Sequence, residues 1–402
     1  MKTYIILGAA GGYISGAPIY HRNKALYMQS KGWTVYYISC CSGTIYVDGL
    51  EKFVIATCSF LCREASLFPK KRREALLGYI IERIPVMGDE VVIETGTYYT
   101  AYWGELLAKR LQCKHIIVYL DEHNEGIEPE HAKFFHFKFK RGELACITPK
   151  TMLEIFNPFW NITMEEAVGI PCYCSNALED YKSELTGKIE TGDYNIGYVG
   201  RLEKPVVQTI IEGVKEFAKL NEDKKIAFIC YGGAEYSVVE GIKEQMKGIS
   251  NMIVFVSGYL FPIPLEAVKK CHIFFSAAGS VLISVKAGIP TVRMNVYTNE
   301  PDGFFQEIGS TFYYRCPDGD KVADYLNMFF IRHEGPVMKS YPMEKEQERI
   351  EGCLNQHLAF LESSSSKKEH FDISSFRLTW VQVFKKFLIS ILGMRVLRFV
   401  KE

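Results

Sequence analysis

No stretch of about 18 uninterrupted apolar residues occurs in the 402-residue chain, so no membrane span is expected. Nor is there an excess of one charge. The 47 lysines and arginines balance 47 aspartates and glutamates, which excludes a whole-chain field able to hold a nucleic acid. No nucleic-acid partner is expected, and any charge argument must be local. The twelve cysteines lack metal spacing: Cys40 and Cys41 are adjacent, Cys172 and Cys174 are one apart, and most others stand alone. That is the pattern of reduced, mostly buried thiols in a cytoplasmic protein. Cys58 and Cys62 fall one helical turn apart, but no CxxC or nearby histidine completes a zinc site, and no metal is assigned. No secretory leader is expected. The apolar opening residues run into Gly11-Gly12-Tyr13-Ile14-Ser15-Gly16 and an amphipathic pattern, which reads as strand, loop and helix.

What is present is 48% hydrophobic and 23% charged residues, the balance of a globular enzyme, in a chain too long for one core. Apolar runs of strand length at 4–7, 34–39, 91–94, 115–120 and 144–148 alternate with helix-length segments at 17–30, 70–83, 100–111 and 129–138. This alternation predicts a parallel sheet covered by helices. A stretch rich in helix breakers, 157–193, interrupts it. The pattern then restarts with strands at 196–199, 226–231, 253–256, 273–275 and 291–294 and helices at 208–220, 238–246 and 282–287. The expected architecture is α/β: two Rossmann-like domains facing across a cleft, 1–185 and 186–362. Residues 363–402 follow as a polar linker and a basic amphipathic helix.

Three small-residue turns carry the candidate site. Gly8 to Gly16 lies between the first strand and first helix, where Gly12, Ser15 and Gly16 let a ligand approach backbone amides and the positive end of the helix dipole. Gly200 ends a strand and places Arg201 and Lys204 at the carboxyl edge of the second sheet, suited to neutralising a diphosphate. Ala278-Gly279-Ser280 opens another helix toward the same cleft. A nicotinamide dehydrogenase fits poorly, because the second strand ends in Ile38-Ser39-Cys40-Cys41-Ser42 with no acidic residue for a ribose. The Tyr20 and Lys24 pair falls on the first helix, where it cannot relay protons.

Together these segments resemble the GT-B glycosyltransferases, and glycosyltransferase family 4 in particular. The residues that carry the likeness are Gly12-Tyr13-Ile14-Ser15-Gly16-Ala17-Pro18 with Asn23, Gly200-Arg201-Leu202 with Lys204, and Ala278-Gly279-Ser280 leading to Gly288-Ile289-Pro290-Thr291. The resemblance covers roughly residues 1–360. It implies an amino-terminal acceptor domain, a carboxyl-terminal domain for a nucleoside diphosphate sugar, Arg201 and Lys204 on the diphosphate, and no required metal or other cofactor. Lys204 lies closer to the arginine than the family's lysine does. The Glu-x7-Glu element of the family is absent, since 275–287 holds no carboxylate and Ile283 occupies the second glutamate's place.

On the acceptor side, Tyr119-Leu120-Asp121-Glu122-His123-Asn124-Glu125 follows a strand and clusters carboxylates with an imidazole. By resemblance His123 is the expected catalytic residue, with Glu122 second, and Glu94-Thr95-Gly96-Thr97 is expected to line the acceptor side. Two basic surfaces remain. Lys70-Lys71-Arg72-Arg73 starts a helix and reads as a solvated face. The segment from 364 onward carries eight cations against three acids in a neutral chain, interleaved with aromatic and aliphatic residues. It suits an interfacial helix on the anionic inner face of the cell membrane, the competing reading being a crossover helix that packs Trp380, Phe384, Phe387 and Leu388 onto the first domain. The expected activity is hexosyl transfer from a nucleotide sugar to a glycan or lipid-linked hydroxyl in surface polysaccharide assembly. The alternative is a catalytically silent GT-B-like protein that binds a glycan or a partner.

Overall fold

The computed structural model describes residues 1–121, 127–309, 319–364 and 369–392. The first domain runs β1 (Lys2–Gly8), α1 (Gly16–Ser30), β2 (Trp33–Ser39), β3 (Val54–Thr57), α2 (Lys70–Ile81), β4 (Glu90–Thr95), α3 (Tyr98–Leu111), β5 (Lys114–Tyr119), α4 (Pro129–Lys140), β6 (Leu144–Cys146) and α5 (Pro149–Phe156). Its six strands are all parallel, in the order β3-β2-β1-β4-β5-β6. Both faces of the sheet are covered, and β1 shows why its residues form a central strand. Ile5 and Leu7 enter one core cluster with Trp103 and Phe135, while Tyr4 and Ile6 enter another with Tyr20 and Met28. Alternate side chains thus serve opposite faces, and a continuous apolar run is required.

The chain then passes through β7 (Leu178–Glu179) and α6 (Glu184–Lys188) into the second domain. This comprises β8 (Tyr194–Val199), α7 (Pro205–Leu220), β9 (Ile226–Tyr231), α8 (Tyr236–Met246), β10 (Met252–Val256), β11 (Ile263–Pro264), α9 (Leu265–Val268), β12 (Ile273–Ala277), α10 (Val281–Lys286), β13 (Thr291–Met294), β14 (Pro301–Phe304), α11 (Phe305–Ile308) and α12 (Val322–Leu326). The second sheet has the order β10-β9-β8-β12-β13-β14, parallel except for β14, and β11 pairs with β7 apart from it. Helix α12 is continued by a π-helical turn over Asn327–Ile331. In each sheet the strand order reverses beside the first strand of the domain, between β1 and β4 and between β8 and β12. Those are the switch points above which open α/β sheets bind ligands.

Two closing helices follow, α13 (Met343–Ser363) and α14 (Trp380–Leu392). The sequence boundary at 362 assigns all but the last residue of α13 to the second domain, but the helix spans both. Near its start Glu346 pairs with Lys286 of α10 at 2.8 Å. Further along, Asn355 accepts a hydrogen bond from Tyr27 of α1 at 2.6 Å, and Phe360 and Leu361 join the first-domain core. Phe371 then donates its amide to buried Glu105 at 2.7 Å, and Ile373 and Phe376 sink among first-domain residues. The crossover to the first domain is real, but different residues anchor it than expected. Trp380, Phe384 and Phe387 are 90%, 60% and 57% exposed, while Ile389 is fully buried. A helical period predicts the stripe without saying which stripe faces inward.

Among the described residues no helix is long and apolar enough to cross a membrane.

Candidate functional site

The three small-residue turns sit at the carboxyl ends of β1, β8 and β12, and the last two flank the second switch point. The turn after β8 is built on contact. Gly200 has φ +146°, and a Cβ there would meet the Tyr198 hydroxyl at 2.6 Å. The Tyr198 hydroxyl donates to the Arg201 carbonyl at 3.0 Å, the Gly200 amide donates to Tyr231 at 3.2 Å, and the Val199 amide donates to Ser276 Oγ at 3.2 Å. These bonds leave the Arg201 side chain at the sheet edge, half exposed. It does form the surface pair with Glu203, at 3.5 Å. An exposed pair of that kind contributes about 0–1 kcal/mol, too little to withhold the guanidinium from a diphosphate.

The first and third turns approach one another through the linker between domains. A Cβ on Gly16 would lie 3.2 Å from the Cys174 Cβ, and one on Gly279 would lie 2.8 Å from the Ser175 Oγ. Adjacent linker residues therefore separate the α1 start from the β12 turn. Asn23 holds that linker by donating Nδ2 to the Tyr173 carbonyl at 3.2 Å. The first and second turns are also linked: burial pushes the Tyr13 phenol up to about 12, nearby thiols of Cys41, Cys40 and Cys62 add to this, and the Arg201 guanidinium pulls it back. Tyr46 and Tyr259 close the same side with ring centroids 4.9 Å apart.

Helix starts differ in their caps. Thr97 and Thr100 form a reciprocal capping box on α3, and Thr148 caps α5 through the Thr151 amide. By contrast α1 and α7, which follow two of the small-residue turns, have neither a side-chain cap nor an acidic residue in the first turn, a state they share with α2 and α8. The start of α10 continues the 3-10 turn Ala278–Ser280, whose carbonyls accept from the Val281 amide.

Several expected residues lie elsewhere. Glu122 and His123 fall outside the described residues; β5 ends at Tyr119 just before them. Glu94 and Thr95 do not line a cleft, because both are buried. The Glu94 carboxylate accepts from the Tyr4 hydroxyl and from the Tyr20 hydroxyl at 2.7 Å, and pairs with Lys24 at 3.2 Å. Tyr20 and Lys24 are thus structural, locking α1 to the sheet. Ile283, at the place of the family's second glutamate, is fully buried in the second domain. A cavity of about 430 Å³ lined by Leu282, Val285, Phe305 and Tyr341 shares no residue with the three turns.

Sequence reasoning missed two parts of this edge. Gly232 and Gly233 follow β9, and a Cβ on Gly232 would lie 1.8 Å from the Gly200 carbonyl oxygen, so the turns after β8 and β9 touch backbone to backbone. The glycine pair after the apolar run 226–231 was the available signal. The other is a cluster of Cys40, Cys41 and Cys62, whose separation in sequence conceals it.

No protein-family model and no curated protein matches the sequence. Solved structures do. A glycosyltransferase from Rickettsia africae superposes with a TM-score of 0.61 at 15% identity, over 90% of this chain and 100% of that one. HepE of Anabaena, solved in complex with UDP-glucose, gives 0.58 at 13% identity, again over 90% and 100%. The chain therefore has the GT-B glycosyltransferase fold, two Rossmann-like α/β domains in series.

Proposed function

We propose that the protein is a glycosyltransferase that moves a hexose-type unit from a nucleoside diphosphate sugar to a hydroxyl of a glycan or lipid-linked acceptor, in surface polysaccharide assembly. The observation that carries this reading is that the Gly200–Arg201 and Ala278–Ser280 turns follow the two strands flanking the second switch point, while the neighbouring linker residues Cys174 and Ser175 pack against Gly16 and Gly279. The Anabaena neighbour with UDP-glucose supports the donor class, and the family 4-like turns support the same division of labour.

In the proposed reaction an acceptor oxygen forms a bond to the anomeric carbon as the bond from that carbon to the diphosphate breaks. The electron pair leaves with the diphosphate, where Arg201 and Lys204 bear the charge. Gly12, Ser15 and Gly16 on one side and Gly200, Ala278, Gly279 and Ser280 on the other position the donor through backbone amides and the Ser15 and Ser280 hydroxyls. His123, with Glu122 beside it, takes the acceptor proton. No metal has a role in this scheme.

The proposed site of action is the cytoplasmic face of an anionic membrane. The run of four cations is more than a solvated face: Lys70 and Lys71 are exposed, Arg72 donates to the Ile389 carbonyl of α14 at 3.4 Å, and Arg73 lies beside Lys386. Cations at a helix start oppose its dipole, so a nearby anionic surface relieves them. The outward aromatic stripe of α14 adjoins this patch.

Calorimetric titration with UDP, GDP and ADP tests the donor assignment. One nucleotide should bind, and Arg201→Ala should weaken it at least about tenfold, or 1.4 kcal/mol, while cutting turnover far more than acceptor affinity. Equal binding by the variant, or none by the native protein, overturns the assignment. Burial of Ile283 in place of a carboxylate favours the second reading, a silent glycan-binding protein. Transfer or donor hydrolysis with a panel of sugar nucleotides separates the two.

A further inference from the structure

Three thiols that the proposed reaction does not use converge beside the donor turns. Cys40 and Cys41 leave the end of β2, and Cys62 closes the 3-10 turn Ser59–Cys62. Their sulfurs all lie within 4.8 Å of one another, with Cys40 Sγ and Cys41 Sγ 3.8 Å apart. Two sulfurs held at about 2.3 Å from one zinc-like ion in tetrahedral geometry are about 3.8 Å apart, so the group needs little movement to close on an ion. Cys40 is buried while Cys41 and Cys62 are half-buried, which leaves an open side. An all-sulfur donor set selects soft, thiophilic ions over magnesium, calcium or manganese.

We propose that Cys40, Cys41 and Cys62 form a three-thiolate site for a soft divalent ion of the zinc and cadmium kind. Binding makes three metal–sulfur bonds, the thiol protons leave to solvent, and three thiolates with one divalent ion form a centre of net charge −1. The hydrogen bond from Cys62 Sγ to the Cys40 carbonyl, now 3.2 Å, is given up.

The position of the site gives it a consequence. Two residues after Cys41, Gly43 packs on the first donor turn: a Cβ on Gly11 would lie 2.8 Å from the Gly43 oxygen, and the Gly12 amide donates to Thr44 at 2.9 Å. An ion here stiffens the Gly12 turn and sets a negative charge beside the place proposed for the diphosphate. It therefore weakens donor binding. That consequence rests on the donor reading above; the metal site does not.

Cadmium titration of the full chain, in a non-thiol reductant, follows the thiolate-to-metal absorption band and proton release in weak buffer. The native protein should take up one more equivalent than Cys41→Ser/Cys62→Ser, with proton release accompanying it. Cys174→Ser/Cys353→Ser, which removes other accessible thiols, should keep that equivalent. Circular dichroism confirms that each variant is folded, and single Cys62→Ser serves if the double variant is not. Equal uptake by the native protein and the Cys41/Cys62 variants overturns the site. UDP titration with and without cadmium then reads the coupling: about tenfold weaker binding is expected in the native protein and no change in the variant. Cadmium uptake with unchanged UDP affinity overturns the coupling. Failure of the cadmium-free protein to bind UDP counts against the donor reading and leaves the thiolate site standing.

Discussion

At the scale of single residues, the first domain depends on buried groups whose protonation differs between folded and unfolded chain. Burial drives His21 and His115 down to about 4 and His357 to about 3. Lys24 pushes further at His21 and His357, and Lys138 at His115, against the pull of Glu94 and Glu105. Unfolded, each imidazole takes a proton near its ordinary value of 6.5, so below that pH the unfolded chain binds more protons and stability falls. Each such histidine costs about 1.4 kcal/mol per pH unit until its folded value is reached. Glu94 and Glu105 behave at lower pH. Burial raises them, but Lys24 and Lys138 with their hydrogen-bond donors hold both at about 2, so their contribution is complete above the ordinary carboxylate value and lost only as the pH falls toward 2. The expected outcome is a melting temperature that drops between pH 7 and pH 5 at fixed ionic strength, with a shallower slope in His357→Gln. A flat profile across that interval would contradict the neutral buried histidines.

At the scale of elements, α14 separates packing from display. Trp380, Phe384 and Phe387 recur at helical spacing on one outward stripe, while Ile389, with Phe376 before the helix, belongs to the core. Trp380→Ser/Phe384→Ser/Phe387→Ser should leave the melting temperature unchanged and cut partitioning onto anionic vesicles at least about a hundredfold, each ring contributing about 1.5 kcal/mol when it inserts. Truncation before Phe376 should lower both. If the triple variant sediments with vesicles as the native chain does, the stripe is not the membrane contact. The same helix shows how far elements were legible in sequence. Long apolar runs announced most sheet strands, because strands buried on both faces have no alternation to obscure them. Val54–Thr57 and Pro301–Phe304 went unseen: both are short edge strands, and the latter pairs antiparallel after a tight return. The small-residue turns were legible as glycine and small residues at strand ends, whereas the inward use of Tyr20, Lys24 and Glu94 was not, since their partners come from distant elements and one, His357, from α13.

At the scale of the whole molecule, the two lobes are joined by more than the linker. Glu346, near the start of α13, accepts from Lys286 of the second domain at 2.8 Å and from the Tyr173 hydroxyl of the linker at 3.3 Å. The far half of the same helix is fixed on α1 and the first sheet through Asn355, His357 and the Leu361 carbonyl, the last accepting from Lys114 at 3.0 Å. One helix thus carries the position of α10, which follows the Ala278–Ser280 turn, to α1, which follows the Gly12 turn. The Lys286 and Glu346 side chains are 8% and 4% exposed, so Glu346→Gln leaves a largely covered cation without its counter-charge, a loss of about 3–5 kcal/mol for a pair of this kind. The strain falls on the junction, because each sheet keeps its own core. The expected result is a larger radius of gyration by small-angle scattering in the nucleotide-free state, together with weaker UDP binding. Conservative Glu346→Asp should recover part of both. A variant with native dimensions and native nucleotide affinity would show that α13 merely lies across the lobes and does not set the distance between their small-residue turns.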